Sequence, residues 1–150
     1  MAYYRTSVEE DCYILAPHMR EQDKKEVKAS NGLEPLESLI LSLKYSEECN
    51  TAIHDDGSVI GMFGVADCGE FGGPWLLGSD RLLEIKKDFI MYSKEWVVET
   101  NKRYPILMNY VHADNTVAKR WLKSLGFVFL KRVEEYGVGK EPFYEFVRIA

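Results

Sequence analysis

The sequence predicts an α/β protein with a mixed, mostly antiparallel sheet of about six to seven strands and helices on both faces. Three observations favour this fold class. Short apolar runs alternate with stretches whose apolar residues recur every three or four positions. Two strand-type runs, residues 50–54 and 58–66, flank the turn Asp55-Asp56-Gly57 and predict an antiparallel hairpin. Strands and helices alternate in the second half, which requires some parallel pairing.

Before this hairpin, the chain predicts one strand and two helices. Residues 11–16 form a short apolar run of strand type. Residues 18–29 are dense in charge and predict a helix that ends near Gly32. A second helix begins at Pro35, and one of its faces carries Leu36, Leu39, Ile40 and Leu43.

After the hairpin, turn residues separate shorter elements. The predicted elements are a strand over 75–77, a helix over 80–103, a strand over 106–112, a helix over 115–124, and strands over 127–133 and 142–149. Pro105 ends the long helix and Gly126 the next one. The full predicted order is β-α-α-β-β-β-α-β-α-β-β.

Composition supports a single domain over residues 1–150. The chain has 46% hydrophobic residues and a net charge of −5, so a disordered chain or a disulfide scaffold is disfavoured. Cys12, Cys49 and Cys68 are expected to be buried thiols. No apolar run is long enough for a membrane span, and no secretory signal is recognised, so a cytoplasmic location is expected.

Charge is divided unevenly along the chain. Residues 1–75 carry 6 basic and 14 acidic groups, whereas residues 76–150 carry 13 and 10. The acidic whole argues against nucleic-acid binding. The one basic cluster, which comprises Lys119, Arg120, Lys123, Lys131 and Arg132, is explained by a solvated helix face. No metal-ligand spacing occurs, so no metal is expected.

A segment near the end resembles a known superfamily. Residues 111–127 read VHADNTVAKRWLKSLGF, with Asn115, Ala118 and a final Leu-Gly-Phe. With the element order, this resembles the second signature segment of the GCN5-related N-acetyltransferase (GNAT) superfamily. The resemblance implies the GNAT fold, and a cleft between the fourth and fifth strands that admits the acyl chain of acetyl-CoA. Trp75 and Tyr110 are expected to line or plug that cleft.

A narrower resemblance is carried by four stretches, residues 60–65, 73–80, 120–127 and 142–146. They are similar to the small GNAT-like proteins of T7-like bacteriophages, which are internal virion or assembly proteins. This resemblance implies a protein partner, such as phage assembly proteins, and a location in the host cytoplasm or the virion. It leaves the oligomeric state open.

The residues themselves predict a weakened catalytic site. The GNAT phosphate loop needs several backbone N–H groups and glycines, but residues 77–82 hold one glycine, and Ser79 or Asp80 is a natural N-cap. The superfamily's acid tyrosine corresponds to Leu122, which cannot donate a proton. Tyr110, Tyr144 and Glu70 remain as candidate catalytic residues. The first hypothesis is therefore a catalytically degenerate assembly protein without a cofactor.

The alternative is an acyl-CoA-dependent N-acyltransferase that moves an acetyl group from acetyl-CoA to an amine. Its coenzyme would contact Leu77, Gly78, Ser79 and Asn115. The structural discriminator is an open gap between the strands at 75–77 and 108–112, with unpaired N–H groups near Gly78 and Ser79. A gap filled by side chains would count against this alternative.

Overall fold

A computed structural model describes residues 2–150 and contains one seven-stranded sheet. Its spatial order is β1-β2-β3-β4-β5-β7-β6, and every neighbouring pair is antiparallel except β4 and β5. The strands are β1 Ala2–Thr6, β2 Ser46–His54, β3 Val59–Asp67, β4 Gly72–Gly78, β5 Ile106–His112, β6 Val128–Tyr136 and β7 Glu141–Ile149. The predicted mixed, mostly antiparallel sheet is confirmed.

Five α-helices cover the two faces of the sheet. They are α1 Glu9–Leu15, α2 Glu21–Asn31, α3 Pro35–Tyr45, α4 Lys86–Arg103 and α5 Thr116–Ser124. Single 3-10 segments, Ala16–His18 and Asp80–Ile85, precede α2 and α4. None of the helices within residues 2–150 is long and apolar enough to cross a bilayer.

The prediction of a strand over residues 11–16 is wrong, because this segment belongs to α1. Cys12 and Leu15 are fully buried while Tyr13 and Ile14 are exposed, which is the three-residue spacing of a helix. The Asp11 carboxylate accepts the Val8 N–H at 3.0 Å and caps the first turn. The first strand is instead β1, which pairs with β2. Because α1 follows it, the observed order has one more helix than the predicted order.

Several local predictions are confirmed by backbone geometry. Gly32 ends α2 in the left-handed conformation at φ 73°. Ser79 caps the 3-10 segment, where its hydroxyl accepts the Arg81 N–H at 3.2 Å. Asn115, which the sequence predicts as the first residue of a helix, lies just before α5 and caps it by accepting the Ala118 N–H. The prediction for Cys68 is wrong, because this thiol lies exposed in the segment between β3 and β4.

Two apolar clusters lie on opposite faces of the sheet. The cluster under α4 and α5 is rich in rings, including Phe63, Phe89, Trp96, Trp121 and Phe146. The cluster under α1 and α3 is aliphatic and sulfur-containing, with Leu15, Met19, Leu39, Met62 and Leu77. Burial of these side chains fixes which face of each strand points to which helix layer.

Candidate functional site

A gap opens between the parallel strands β4 and β5. Their only backbone pairing within residues 2–150 is Gly72 with Leu107, at the start of each strand. Ser79 N–H bonds to Ile60 C=O at 3.0 Å, so in the alternating antiparallel ladder the Leu76 and Gly78 N–H groups point away from β3. They face the gap.

The gap is closed where the two strands begin and open where they end, and two carboxylates of α2 accept strand N–H groups at this open end. Asp23 Oδ2 accepts the Gly78 N–H at 3.0 Å, and Glu26 Oε1 accepts the His112 N–H at 2.8 Å. Asn115 Nδ2 donates to both carboxylates, at 3.1 Å each. Because Asp23 and Glu26 stand three residues apart, they share one helix face. One helix therefore ties together the last residues of both strands.

Contacts of Met19 and Arg20, which immediately precede α2, fix the position of this helix. Arg20 N–H donates to Gly78 C=O at 2.8 Å, and Met19 forms a bridge with Ser79. The buried Arg20 guanidinium also pairs with Asp23 at 3.0 Å. These contacts place the first turn of α2 directly beyond β4.

Burial shifts the acidity of both carboxyl groups. Desolvation raises the pKa of Asp23, while Arg20 and the donated N–H of Gly78 act in the opposite direction. Desolvation and the nearby Asp23 charge raise the pKa of Glu26 to about 7, partly offset by the His112 N–H and Asn115. Glu26 can therefore exchange a proton near neutral pH.

A cavity of about 180 Å³ lies beside Glu26 on the α2 face of the sheet. Glu26 is its only charged lining residue. Six of its lining residues are aromatic, namely Trp75, Tyr110, Trp121, Tyr136, Phe143 and Phe146. The cavity reaches into the gap, because residues from both β4 and β5 line it.

A groove of about 280 Å³ lies on the opposite face, between α4 and α5. Its floor is apolar, and the exposed side chains of Lys86 and Arg120 line it. Leu76 and Trp121 line both this groove and the α2-face cavity. These two side chains partition the gap between the faces.

Trp121 is held firmly in that partition. Its indole N–H donates to the buried Ser93 hydroxyl at 3.1 Å. Its ring stacks on Phe89 with centroids 5.7 Å apart and planes 8° apart. The gap is thus open in its backbone and filled at its centre by side chains.

The three candidate catalytic residues are separated in the structure. Tyr110 lines the α2-face cavity, but its hydroxyl bonds to Glu145 at 2.6 Å, which raises the pKa of Tyr110 to about 12. Tyr144 lies on the opposite face, with Lys119 and Arg132 over its ring. Glu70 is exposed in the β3–β4 turn, which precedes the closed end of the gap.

The four candidate coenzyme contacts do lie together at the open end. Leu77 lines the α2-face cavity, and Asn115 is fully buried among the α2 carboxylates. Gly78 and Ser79, however, already donate their N–H groups to Asp23 and to Ile60 C=O. The expected gap is present between the strand backbones, but Leu76 and Trp121 fill its centre, and the N–H groups of Gly78 and Ser79 are paired rather than free.

Sequence reasoning missed Asp23 and Glu26. Both lie in a stretch of α2 where charged residues dominate, and such a stretch is usually a solvated helix face. The available signal was their spacing of three residues, which places two carboxylates on one side of a helix. Only the packing of α2 against the strand ends reveals that this side is buried.

The fold matches solved acetyltransferase structures over almost its whole length. An acetyltransferase of the GNAT family from Bacillus anthracis superposes with a TM-score of 0.73 at 8% identity, covering 99% of this chain and 94% of the other. The ribosomal-protein-S18-alanine N-acetyltransferase from Escherichia coli gives 0.71 at 12% identity, covering 99% and 94%. A GCN5-related N-acetyltransferase from Kribbella flavida gives 0.70 at 16%, covering 99% and 98%.

These similarities establish that the chain has the GNAT fold. Neither a protein-family model nor a curated protein matches its sequence.

Proposed function

We propose that the protein transfers an acyl group from a coenzyme A thioester to an amine. The observation that carries the proposal is the gap between β4 and β5, with a separate cavity on each face of the sheet. In acyl transfer the amine attacks the carbonyl carbon of the thioester, so the two substrates must meet at one point from different directions. The two cavities meet at Leu76 and Trp121 and supply such an arrangement.

The groove between α4 and α5 suits the coenzyme, although its phosphate contacts differ from those of the usual GNAT phosphate loop. Its apolar floor suits a pantetheine arm, and Lys86 and Arg120 supply cations for phosphate groups. The backbone donors of Gly78 and Ser79 are engaged within the protein. Side-chain cations therefore replace backbone N–H groups as the phosphate contacts. When bound, the coenzyme supplies a thioester carbonyl.

The Leu76 N–H is the protein's donor for the carbonyl oxygen. It faces the gap from β4, and Leu76 lines both cavities. A fixed backbone dipole aimed at developing negative charge is an effective form of transition-state stabilisation.

Glu26 acts as the general base. Both bonds that it accepts end on Oε1, so Oε2 is free of hydrogen bonds within residues 2–150. A pKa of about 7 suits a group that takes a proton from an attacking amine near neutral pH. A thiol has a pKa of about 8.5, so a thiolate can leave without a tyrosine acid. Leu122 in the acid position is compatible with turnover.

A second candidate function is a non-catalytic GNAT fold that acts through protein contacts, as in phage assembly. The engaged N–H groups of Gly78 and Ser79 favour it, because a bound phosphate would compete with the protein's own partners. Coenzyme binding discriminates between the two functions.

The first experiment is calorimetric titration of the full chain with acetyl-CoA. Saturable binding is expected, and replacing both Lys86 and Arg120 by Ala should weaken it by about tenfold or more. Lys87→Ala is the matched control, since Lys87 is exposed but does not line the groove. Absence of binding would reject the acyltransferase and favour the non-catalytic function.

The second experiment measures thiol release from acetyl-CoA with amine acceptors. Glu26→Gln should lower kcat by about 100-fold or more while leaving acetyl-CoA binding unchanged, because general base catalysis contributes on that scale. Gln keeps an oxygen for the His112 N–H. Glu21→Gln on the same helix is the control, because the Glu21 carboxylate is exposed and pairs with Lys24. Equal kcat values for both variants would refute the role of Glu26.

A further inference from the structure

We propose that the acceptor is a compact primary amine with an aromatic or apolar body, a single positive charge and no carboxylate. This inference rests on the proposed acyltransferase function and assigns its substrate class. It is drawn from the cavity on the α2 face.

The charges around the cavity select for a cation and against an anion. Glu26 is the only charged residue among those that line it, and no Lys, Arg or His does. Its Oε2 is available to an ammonium group, because its bonds from His112 N–H and Asn115 end on Oε1. A carboxylate on the acceptor would lie beside Glu26 without a compensating cation.

Aromatic rings that are fixed by their neighbours form much of the cavity wall. Tyr110 and Tyr136 stack with centroids 4.5 Å apart, and Phe143 lies 4.7 Å from Tyr136. The Trp75 indole N–H is anchored on the Ser46 hydroxyl at 2.7 Å. The Tyr110 hydroxyl is likewise engaged by Glu145. These fixed rings favour an apolar body and an ammonium group over a ring face.

The size of the cavity limits the length of the acceptor. About 180 Å³ holds a small molecule, and a polyamine would place its further ammonium groups where no second carboxylate lines the wall. The turn between β6 and β7 closes one side. Gly139 N–H and Val138 N–H donate to the Ala29 and Ser30 carbonyls, at 2.8 and 3.2 Å, beside the cavity-lining Ser30. This contact leaves little room for a polypeptide acceptor.

The test compares 2-phenylethylamine with two other amines. 2-Phenylethylamine carries one ammonium and a ring, L-phenylalanine adds a carboxylate, and spermidine replaces the ring by further ammonium groups. With the full chain and saturating acetyl-CoA, kcat/KM for 2-phenylethylamine should exceed that for the other two by about 100-fold or more. A preference for phenylalanine or spermidine would overturn the inference while leaving the acyltransferase function intact.

A binding measurement without coenzyme tests the inference independently of turnover. Titration of 2-phenylethylamine, followed by intrinsic tryptophan fluorescence, should show saturation that Glu26→Gln weakens by about tenfold. Tyr136→Leu should weaken it several-fold, whereas Tyr136→Phe keeps the ring face and should not. No saturable amine binding, or equal binding by the Leu and Phe variants, would overturn the inference. Failure of acetyl-CoA to bind would instead reject the proposed function.

Discussion

The two ends of the gap between β4 and β5 are held by different kinds of contact. At the closed end, Gly72 pairs with Leu107 through the main chain. Asn109 of β5 then bridges the strands, since its Nδ2 donates to Pro74 C=O of β4 at 3.0 Å. Its Oδ1 accepts the N–H of the next residue in β5, Tyr110, at 2.9 Å. At the open end, no main-chain pair joins the strands within residues 2–150. The carboxylates of Asp23 and Glu26 accept the strand N–H groups instead.

This difference shows how the fold keeps two parallel strands apart without leaving their polar groups unpaired. Ladder pairing would bring the strands to about 4.8 Å and remove the gap. A helix that presents two carboxylates satisfies the N–H groups at a wider separation. The closed end is therefore held by hydrogen bonds between the two strands, and the width of the open end depends on α2 and its charges.

The largest expected effect comes from breaking the open end at Asp23. Asp23→Ala removes the close carboxylate partner of the buried Arg20, whose remaining ion pair, with the exposed Asp80, spans 3.8 Å. It also leaves the Gly78 N–H without its acceptor, so the free energy of unfolding should fall by about 3–5 kcal/mol. Urea denaturation measures this loss. Asp23→Asn keeps an acceptor oxygen and should lose less, and Glu21→Ala on the exposed face should lose about 0.5 kcal/mol or less. A loss below about 1 kcal/mol for Asp23→Ala would contradict the assigned role.

The next effect comes from overpacking the closed end. A Cβ at Gly72 would lie 2.8 Å from both Tyr104 Cγ and Val65 Cγ2. Gly72→Ala should therefore lower the free energy of unfolding by about 1–3 kcal/mol in the same denaturation assay. Gly73→Ala is the neighbouring control, because its nearest contact would be Cys68 Sγ at 3.3 Å. Equal stability of the two variants would show that the closed end is not sterically fixed.

The smallest effect is a pH dependence of the unfolding free energy, which arises from Glu26 at the open end. The pKa of Glu26 rises from 4.5 to about 7 on folding, mainly through desolvation, with Asp23 adding and Arg20 and Asn115 opposing. The contribution of a carboxyl whose pKa is raised by folding is complete below pH 4.5 and is lost as the pH rises towards 7.

Glu26→Gln removes this titration. The unfolding free energy of the natural chain, taken relative to that of Glu26→Gln, should fall by about 1–2 kcal/mol between pH 4.5 and 8, a figure reduced because the side chain is half-buried. Tyr136 also faces Glu26, but it titrates above this window. A difference that stays constant with pH would show that Glu26 is not shifted.

Prediction of the fold from sequence succeeded where one residue type decides the local backbone. Gly57 in the hairpin turn and Ser79 as a cap need only their own conformational preferences. It failed at residues 11–16, because a run of apolar residues in a short segment does not separate a period of two from a period of 3.6. Burial of Cys12 and Leu15 against the neighbouring helices decided for α1.

The candidate site divides in the same way. The sequence by itself determined the order of the elements that include β4, β5 and α5, and its resemblance to the GNAT superfamily implied the gap between those two strands. It also determined that no glycine-rich phosphate loop precedes α4. Only the tertiary structure decided that Asp23 and Glu26 close the open end, and that Leu76 and Trp121 partition the gap. The physical reason is that a charged helix looks the same in sequence whether its carboxylates meet water or the unpaired N–H groups of distant strands.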